Sequence, residues 1–335
     1  MKYITLTALL MSTAMLAACD NDDSPSPAPT PAPTNSTPAP SPEPTPEPTP
    51  TPTFTYKQLN ELTGDQTFDT TCAGYESPNT FANPGPQHPE YRMFGSTNLA
   101  WTSTDNTSLE DNSWLYKQGG SDIAGMGAMA LKTFTATPLL MDYSRNAEYG
   151  GTDTLTIRQH PATARYVQHA AFSRHIALGR GSTLYDNCLF GARTDPADLP
   201  TTGTISYPTI GAVGQIFMGN LQKDNQYTVR VDQSGSSITA DMAASTFNAS
   251  LKLQGLKAGS ADTPENWVDL ATYTITGQIH REQRQFTGTV TNSDDRVNMS
   301  QVRGWFFGPQ ASEIAILYGA SSWSLLTTTT VVGVR

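Results

Sequence analysis

Cysteine is scarce in this chain: Cys19, Cys72 and Cys188 are the only three in 335 residues. No HxxxH or HExxH spacing accompanies them, so the usual zinc patterns are excluded. Charge is also sparse, at 15 % of residues, and the balance is acidic, with a net charge of −10. A chain of that sign is a poor partner for nucleic acid or for an anionic lipid surface. Beyond the N-terminus no apolar run reaches 18 residues, so no second membrane segment of the helical kind is written here. Gly179-Arg180-Gly181-Ser182 has glycines but lacks the Lys-Ser/Thr of a phosphate loop, and no serine sits in a G-x-S-x-G frame. An enzyme is the least supported reading, and no cofactor or metal is expected, a metal or thiol role for the cysteines being a minor alternative.

What is present begins at the N-terminus. Lys2 precedes an apolar run from about Ile4 to Leu16, which leads through Ala17-Ala18 into Cys19. This is the layout of a secretory signal peptide, too short to stay as a bilayer span. Small residues followed directly by cysteine resemble a bacterial lipoprotein signal, in which residues 1–18 are removed and the Cys19 thiol carries acyl chains such as palmitate. At about 0.8 kcal/mol per buried methylene, several chains make a durable anchor. An ordinary signal peptide that happens to end near a cysteine is the alternative.

Residues 19–53 form the next unit. Asp20-Asn21-Asp22-Asp23 is followed by a stretch, 24–53, that holds 13 of the chain's 24 prolines among Ser, Thr, Ala and Glu. It has nothing to bury against its ordering entropy, and so reads as a disordered, solvated tether. At about 3.1 Å per residue it reaches on the order of 90 Å when extended. The compartment and the lack of flanking basic residues argue against an SH3-type ligand. Without Lys2 and the acids at 20, 22, 23, 43 and 47, the rest carries 19 bases against 25 acids, a net of −6.

About 280 residues remain from Phe54 onward, enough for one large β domain or two small ones. In an exported protein Cys72 and Cys188 read as a disulfide, which in the chain-entropy model is worth about 4–5 kcal/mol for so long a loop. The C-terminal half alternates with period 2. Tyr227, Val229 and Val231 share a face, as do Phe247, Ala249, Leu251 and Leu253; Tyr273, Ile275, Gly277 and Ile279 repeat the pattern, followed by Phe286, Gly288 and Val290. That is half-buried antiparallel strand, and about eight such segments lie between Gly211 and Gly319. Eight strands close a small barrel whose side chains fill its interior, although a sandwich shows the same period. The N-terminal half, from 54 to 200, is less regular. Strands are expected at 128–135, 154–158 and 166–176, and long loops over 73–122.

Two stretches resemble a known family. Phe190-Gly191-Ala192-Arg193-Thr194-Asp195-Pro196-Ala197-Asp198-Leu199-Pro200-Thr201-Thr202-Gly203-Thr204 is similar to the junction string of transferrin-binding-protein-like surface lipoproteins. Gly304-Trp305-Phe306-Phe307-Gly308-Pro309-Gln310-Ala311-Ser312-Glu313-Ile314 resembles a late hairpin of the same proteins. Their order and separation are those of the family, and Tyr207–Gly219 looks like its first barrel strand. The resemblance covers most of 125–322, and the segment before about 120 matches nothing.

It implies an all-β chain: a small β-rich handle domain (54–200) and an eight-stranded antiparallel β-barrel (201–335), lipid-anchored at the cell surface of a Gram-negative outer membrane. It also implies capture of a protein or small solute for a TonB-dependent outer-membrane transporter. Only one handle-plus-barrel lobe is present, where the type member has two. Family ligand contacts do not map onto residues here.

Gly304, Gly308, Pro309 and Glu313 read as architecture, with Gly308-Pro309 turning the chain and Glu313 accepting backbone donors at that turn. Trp305, Phe306 and Phe307 are consecutive, so one face must meet something other than the barrel core; the handle is the expectation. His160, His169 and His175 with Arg158, Arg165, Arg174 and Arg180 suggest a solvated basic face or a contact surface for an acidic partner, with metal or haem binding as the less favoured alternative. His280-Arg281-Glu282 reads as a hairpin turn. Tyr91, Trp101, Trp114 and Tyr116 are either interface anchors or handle core.

Two other readings stay open. A periplasm-facing accessory lipoprotein is favoured by Asp20, since aspartate after the lipidated cysteine signals inner-membrane retention in enteric bacteria. A lipocalin-like carrier needs a hollow barrel, against which Tyr227, Phe247, Leu251, Tyr273 and Phe286 argue.

Overall fold

The computed structural model describes residues 54–62, 66–78, 90–103, 112–118, 129–136, 139–146, 151–176, 182–219, 225–294 and 297–335. The leader, Cys19 and the tether lie outside these residues. Pro52–Arg335 clusters as one compact unit containing two antiparallel sheets.

The first sheet is built from β1 (Gln66–Pro78), β2 (Glu90–Ser103), β3 (Asn112–Gln118), β4 (Ala130–Ala136), β5 (Leu139–Asn146), β6 (Thr152–Arg158), β7 (Val167–Ile176) and β8 (Ser182–Gly191). Its order is β3-β2-β1-β8-β7-β6-β5-β4, so the first and last regions of the segment meet in the middle of the sheet. Cys72 and Cys188 are direct register partners on β1 and β8 and are joined by a disulfide across 116 residues. The strands expected at 128–135, 154–158 and 166–176 are present as β4, β6 and β7. The long loops expected over 73–122 are not: most of that span is the latter part of β1, β2 and β3. Its Gly, Pro and Asn clusters fall largely between the strands, and the turn signals masked the pairing on either side. Tyr91, Trp101, Trp114 and Tyr116 belong to β2 and β3, with Trp101 opposite Trp114; their side chains lie outside those described.

The second sheet contains β9 (Thr204–Ser206), β10 (Thr209–Met218), β11 (Gln226–Val231), β12 (Ser237–Asp241), β13 (Thr246–Lys257), β14 (Trp267–His280), β15 (Gln285–Asn292), β16 (Met299–Phe307), β17 (Glu313–Ser321) and β18 (Leu325–Val334). Its ten segments make an eight-stranded barrel. β13 pairs with β12 along Thr246–Ser250 and with β11 along Leu253–Lys257, so β11 and β12 occupy one position broken by a 3-10 turn. β9 and β10 are likewise two halves of one position, broken at Tyr207-Pro208, where proline cannot donate to a ladder. The β11–β13 pairing closes the ring.

Alternation along β13 puts Phe247, Ala249, Leu251 and Leu253 in the interior. They meet Tyr273, Ile275, Phe286, Phe306, Ile316 and Tyr318. Phe286 lies 4.3 Å from Phe247 and 5.6 Å from Phe306, centroid to centroid, and Tyr273 lies 5.8 Å from Tyr318. Side chains occupy the space that a lipocalin-like cargo would need, so the carrier reading finds no support.

β17 and β18 are buried along both faces. Ile314, Ile316 and Tyr318 point into the barrel, whereas Ala315 and Leu317 pack with Trp305, Phe307 and Val332 on Ala73, Val167 and Leu189 of the first sheet and on Ala164 of the turn before β7. The first sheet thus lies along the barrel wall. This is where the consecutive aromatics divide, with Phe306 inside the barrel and Trp305 and Phe307 against the handle. β18 follows Gly319, where the sequence count of strands ended. Its run Thr327-Thr328-Thr329-Thr330 reads as polar, yet all four are at most 2 % exposed. Buried hydroxyls need partners: Thr327 and Thr329 bond each other at 3.1 Å, Thr330 donates to the Val213 carbonyl, and Thr328 accepts from Asn187 of β8.

Candidate functional site

The two strings that carry the family resemblance meet in space. Arg193 forms an isolated bridge with Phe307, the Thr194 N–H donates to the Phe306 carbonyl at 2.8 Å, and the Gly308 N–H donates to the Ala192 carbonyl at 2.9 Å. The Thr194 hydroxyl donates to the Gly308 carbonyl at 2.7 Å. Asp198 Oδ2 accepts from Tyr56 Oη and from the Gln310 N–H, both at 2.9 Å. The segment that opens the folded part is therefore fastened to the β16–β17 turn. Burial, the largest influence, and the neighbouring Asp198 and Asp195 carboxylates push the Tyr56 hydroxyl up to about 12, against a smaller lowering by the Asp195 N–H.

Gly308 has φ +69° and lies where a Cβ would come 2.3 Å from the Tyr166 ring, so both conformation and space require glycine. Gly304 lies under Phe286, whose ring would be 2.2 Å from an added Cβ. Tyr207 closes the barrel beneath this turn by donating to the Ala311 carbonyl at 3.0 Å. Arg281, on the β14–β15 turn, donates to the carbonyls of Pro200 (2.8 Å) and Met242; the sequence showed a turn there but not that tie.

Glu313 accepts backbone donors, but not those of its own turn. Its carboxylate takes the N–H groups of Arg165 (2.5 Å), Tyr166 (3.0 Å) and Val167 (2.9 Å), at the start of β7. Glu313 has the parity of Ala315 and Leu317, so the pleat aims it at the first sheet. Burial raises its pKa, partly offset by the three N–H donors.

The histidine-rich segment departs from the expectation of a solvated basic face at His169, while Arg165 is exposed as expected. His169 is 1 % exposed, with Nε2 3.3 Å from Asn187 Oδ1 and Nδ1 unpartnered. Burial, with Arg158 and His160 nearby, lowers its pKa to about 3. Arg158 and His160 are half-buried. The side chains of Arg174 and His175, and Arg180 itself, lie outside those described. Among the described residues no group of three His, Cys, Asp or Glu is placed to hold a metal ion.

The end of the barrel opposite Gly308–Pro309 has a different character. Successive hairpin turns lie at opposite ends, so the β17–β18 turn is a strand length, about 30 Å, from the junction. Trp323 stands on that turn and is 84 % exposed; Met299, opposite Ser321 at the start of β16, is 64 % exposed. Val268, near the start of β14, is exposed at the same end. Exposed tryptophan and methionine at one end of a barrel have the composition of interface anchors. The sequence reading did not single out these residues, although a lone tryptophan among the serines of a turn (Ser321-Ser322-Trp323-Ser324) was the available signal.

With the architecture in place, the class is clear: a handle sheet lying along a filled eight-stranded barrel. Residues 199–334 match the family described as C-lobe and N-lobe beta barrels of Tf-binding protein B, and the barrel lobe is of that type. Similar solved structures include transferrin binding protein B of Haemophilus parasuis, as a double mutant (10 % identity, 82 % of this chain and 76 % of that one, TM-score 0.40). The isotype 1 transferrin binding protein B of serogroup B Neisseria meningitidis is also similar (9 %, 81 % and 77 %, TM-score 0.36). So is the N-lobe domain of lactoferrin binding protein B of Moraxella bovis (10 %, 79 % and 99 %, TM-score 0.35). No curated protein is similar to the chain at the level of sequence.

Proposed function

We propose that this chain is a surface lipoprotein that captures a protein ligand at the Trp323 end of its barrel. Residues 1–18 are the leader, Cys19 carries the lipid, 19–53 are the tether, 54–200 the handle and 201–335 the barrel. The observation that carries the reading is the polarity of the folded part. The segment that follows the tether, at Tyr56, is tied to Asp198 and so to the Gly308–Pro309 end, whereas the exposed anchors Trp323 and Met299 stand at the other. Apolar side chains held away from the attachment point suit a partner arriving from outside. Hand-off to a TonB-dependent outer-membrane transporter is the step this arrangement serves. The match to barrels of a transferrin-binding protein makes transferrin the first probe.

The test is binding of transferrin and lactoferrin to the full-length chain in detergent, beside Trp323→Ala. Saturable binding of one of them, weakened about thirtyfold or more by a substitution that leaves thermal stability unchanged, is expected. Absence of binding to both, or binding indifferent to Trp323, would overturn the reading. A second reading, a periplasm-facing accessory lipoprotein, is favoured only by Asp20 beside Cys19.

A further inference from the structure

The exposed end of the barrel carries a sulfur atom beside its tryptophan. Met299 opens β16 opposite Ser321 and is 64 % exposed. The Asn298 N–H donates to the Ser321 carbonyl at 3.0 Å, so the ladder keeps its register to this end. Trp323 follows two residues after Ser321, in a turn that the Ser322 N–H closes on the Leu325 carbonyl at 2.7 Å. Diagonal neighbours on paired strands lie about 7–8 Å apart, within reach of a long side chain. The register therefore sets Met299 and Trp323 in one patch.

The other described sulfur atoms are shielded. Met129, Met141 and Met242 are at most 1 % exposed, and Met218 is half-buried. Cys72 and Cys188 are joined as a disulfide and present no thiol. Among the described side chains Met299 is thus the sulfur-bearing residue most open to an oxidant from solvent.

A thioether is an apolar, adaptable anchor, and its sulfur is also a nucleophile. When it attacks one oxygen of hydrogen peroxide, an S–O bond forms and the O–O bond breaks. The hydroxide that leaves takes the proton from the new S–OH and becomes water. The sulfur is oxidised by two electrons, the peroxide is reduced by two, and methionine sulfoxide is the product. The side chain is then polar where the anchor was apolar. A sulfoxide oxygen driven into an apolar contact without a donor carries a desolvation cost that the thioether does not.

We propose that Met299 is a modification site for peroxides, and that its oxidation to the sulfoxide releases the protein held at the Trp323 end. The release rests on the capture reading, whereas the selectivity for Met299 rests on exposure alone. Methionine sulfoxide reductases reverse the step, one enzyme for each sulfoxide epimer.

The test treats the full-length chain in detergent with hydrogen peroxide and maps the sulfoxide by peptide mass spectrometry. Binding of transferrin and lactoferrin is measured before and after. Met299 is expected to gain one oxygen ahead of Met129, Met141 and Met242, with the thermal transition unchanged. The affinity for whichever protein binds is expected to fall about tenfold and to return after treatment with both reductases. Met299→Leu, compared with its own untreated affinity, is expected to be insensitive to peroxide. Oxidation of the buried methionines ahead of Met299, an affinity unchanged once Met299 is fully oxidised, or an equal loss in Met299→Leu would overturn the proposal. Binding of neither protein by the untreated chain would overturn the capture reading instead, before any peroxide is added, and the mapping then decides the modification site by itself.

Discussion

Glu313 Oε2 accepts the backbone N–H of Val167 at 2.9 Å across 146 residues, and with it the carboxylate of a barrel strand becomes the cap for the start of a handle strand. Arg165 and Tyr166 donate to the same carboxylate. Glu313→Ala leaves these N–H groups without an acceptor, and buried donors left so cost about 1–3 kcal/mol each. A loss of about 3–5 kcal/mol is expected in chemical denaturation. Glu313→Gln keeps an acceptor oxygen and is expected to cost less.

The same residue gives a pH dependence of known sign. Its folded pKa is raised by burial, so the folded state holds the proton more tightly than the unfolded one. That contribution is fully present below the unfolded carboxyl pKa and is lost as pH rises through the folded one. The stability of the wild type relative to Glu313→Gln should therefore fall across that window and level off above it. Denaturation midpoints of both proteins at matched pH values measure the difference.

His169 acts in the opposite direction. Its pKa is lowered to about 3 by burial, so its neutral form stabilises the fold fully above the unfolded value near 6.5. That stability drains away as pH falls from there toward 3. Replacing His169 with glutamine, which does not titrate, is expected to flatten the acid limb of the wild-type profile. In NMR the His169 ring should stay neutral at pH 5, where an exposed histidine is charged.

The disulfide closes the middle of the handle sheet. Replacing both Cys72 and Cys188 by alanine is expected to cost about 2–5 kcal/mol, lowering the thermal midpoint by roughly 2–4 °C for each kcal/mol. Register makes the effect local to the β1–β8 seam, so amide exchange should rise first along these two strands.

In the barrel, Phe286→Ala is expected to cost about 3–5 kcal/mol, because its ring is fully buried between Phe247 and Phe306. Gly304→Ala should also destabilise, since its Cβ would meet that ring and the Ala315 carbonyl, each at 2.2 Å. In the double variant the ring clash is gone and the carbonyl clash remains. The cost of Gly304→Ala should therefore shrink without vanishing, which a double-mutant cycle measures.

How much of this was legible in the sequence depended on how many faces of a strand are buried. β13 is buried on one face, and its alternation named Phe247, Ala249, Leu251 and Leu253 as core. β18 is buried on both, so its threonines alternate with nothing polar, and the strand passed unnoticed after Gly319. The junction strings were recognisable as strings, but that Thr194 would hold Gly308, or Asp198 bond both Tyr56 and Gln310, follows from tertiary contacts spanning more than a hundred residues. The sequence suggests backbone donors at the turn itself for Glu313, whereas its carboxylate takes those of Arg165, Tyr166 and Val167. Only the packing of the handle on β17 reveals which side of the strand is its inner side. Trp323 was missed because one tryptophan in a serine-rich turn has no period to betray it.

The most direct test is protease treatment of intact cells, with the folded part followed by an antibody before and after. The account predicts that residues 54–335 are lost from unbroken cells, cut through the proline-rich tether that holds them outside. Protection until the outer membrane is opened would contradict surface display, and with it the capture of a partner at the Trp323 end.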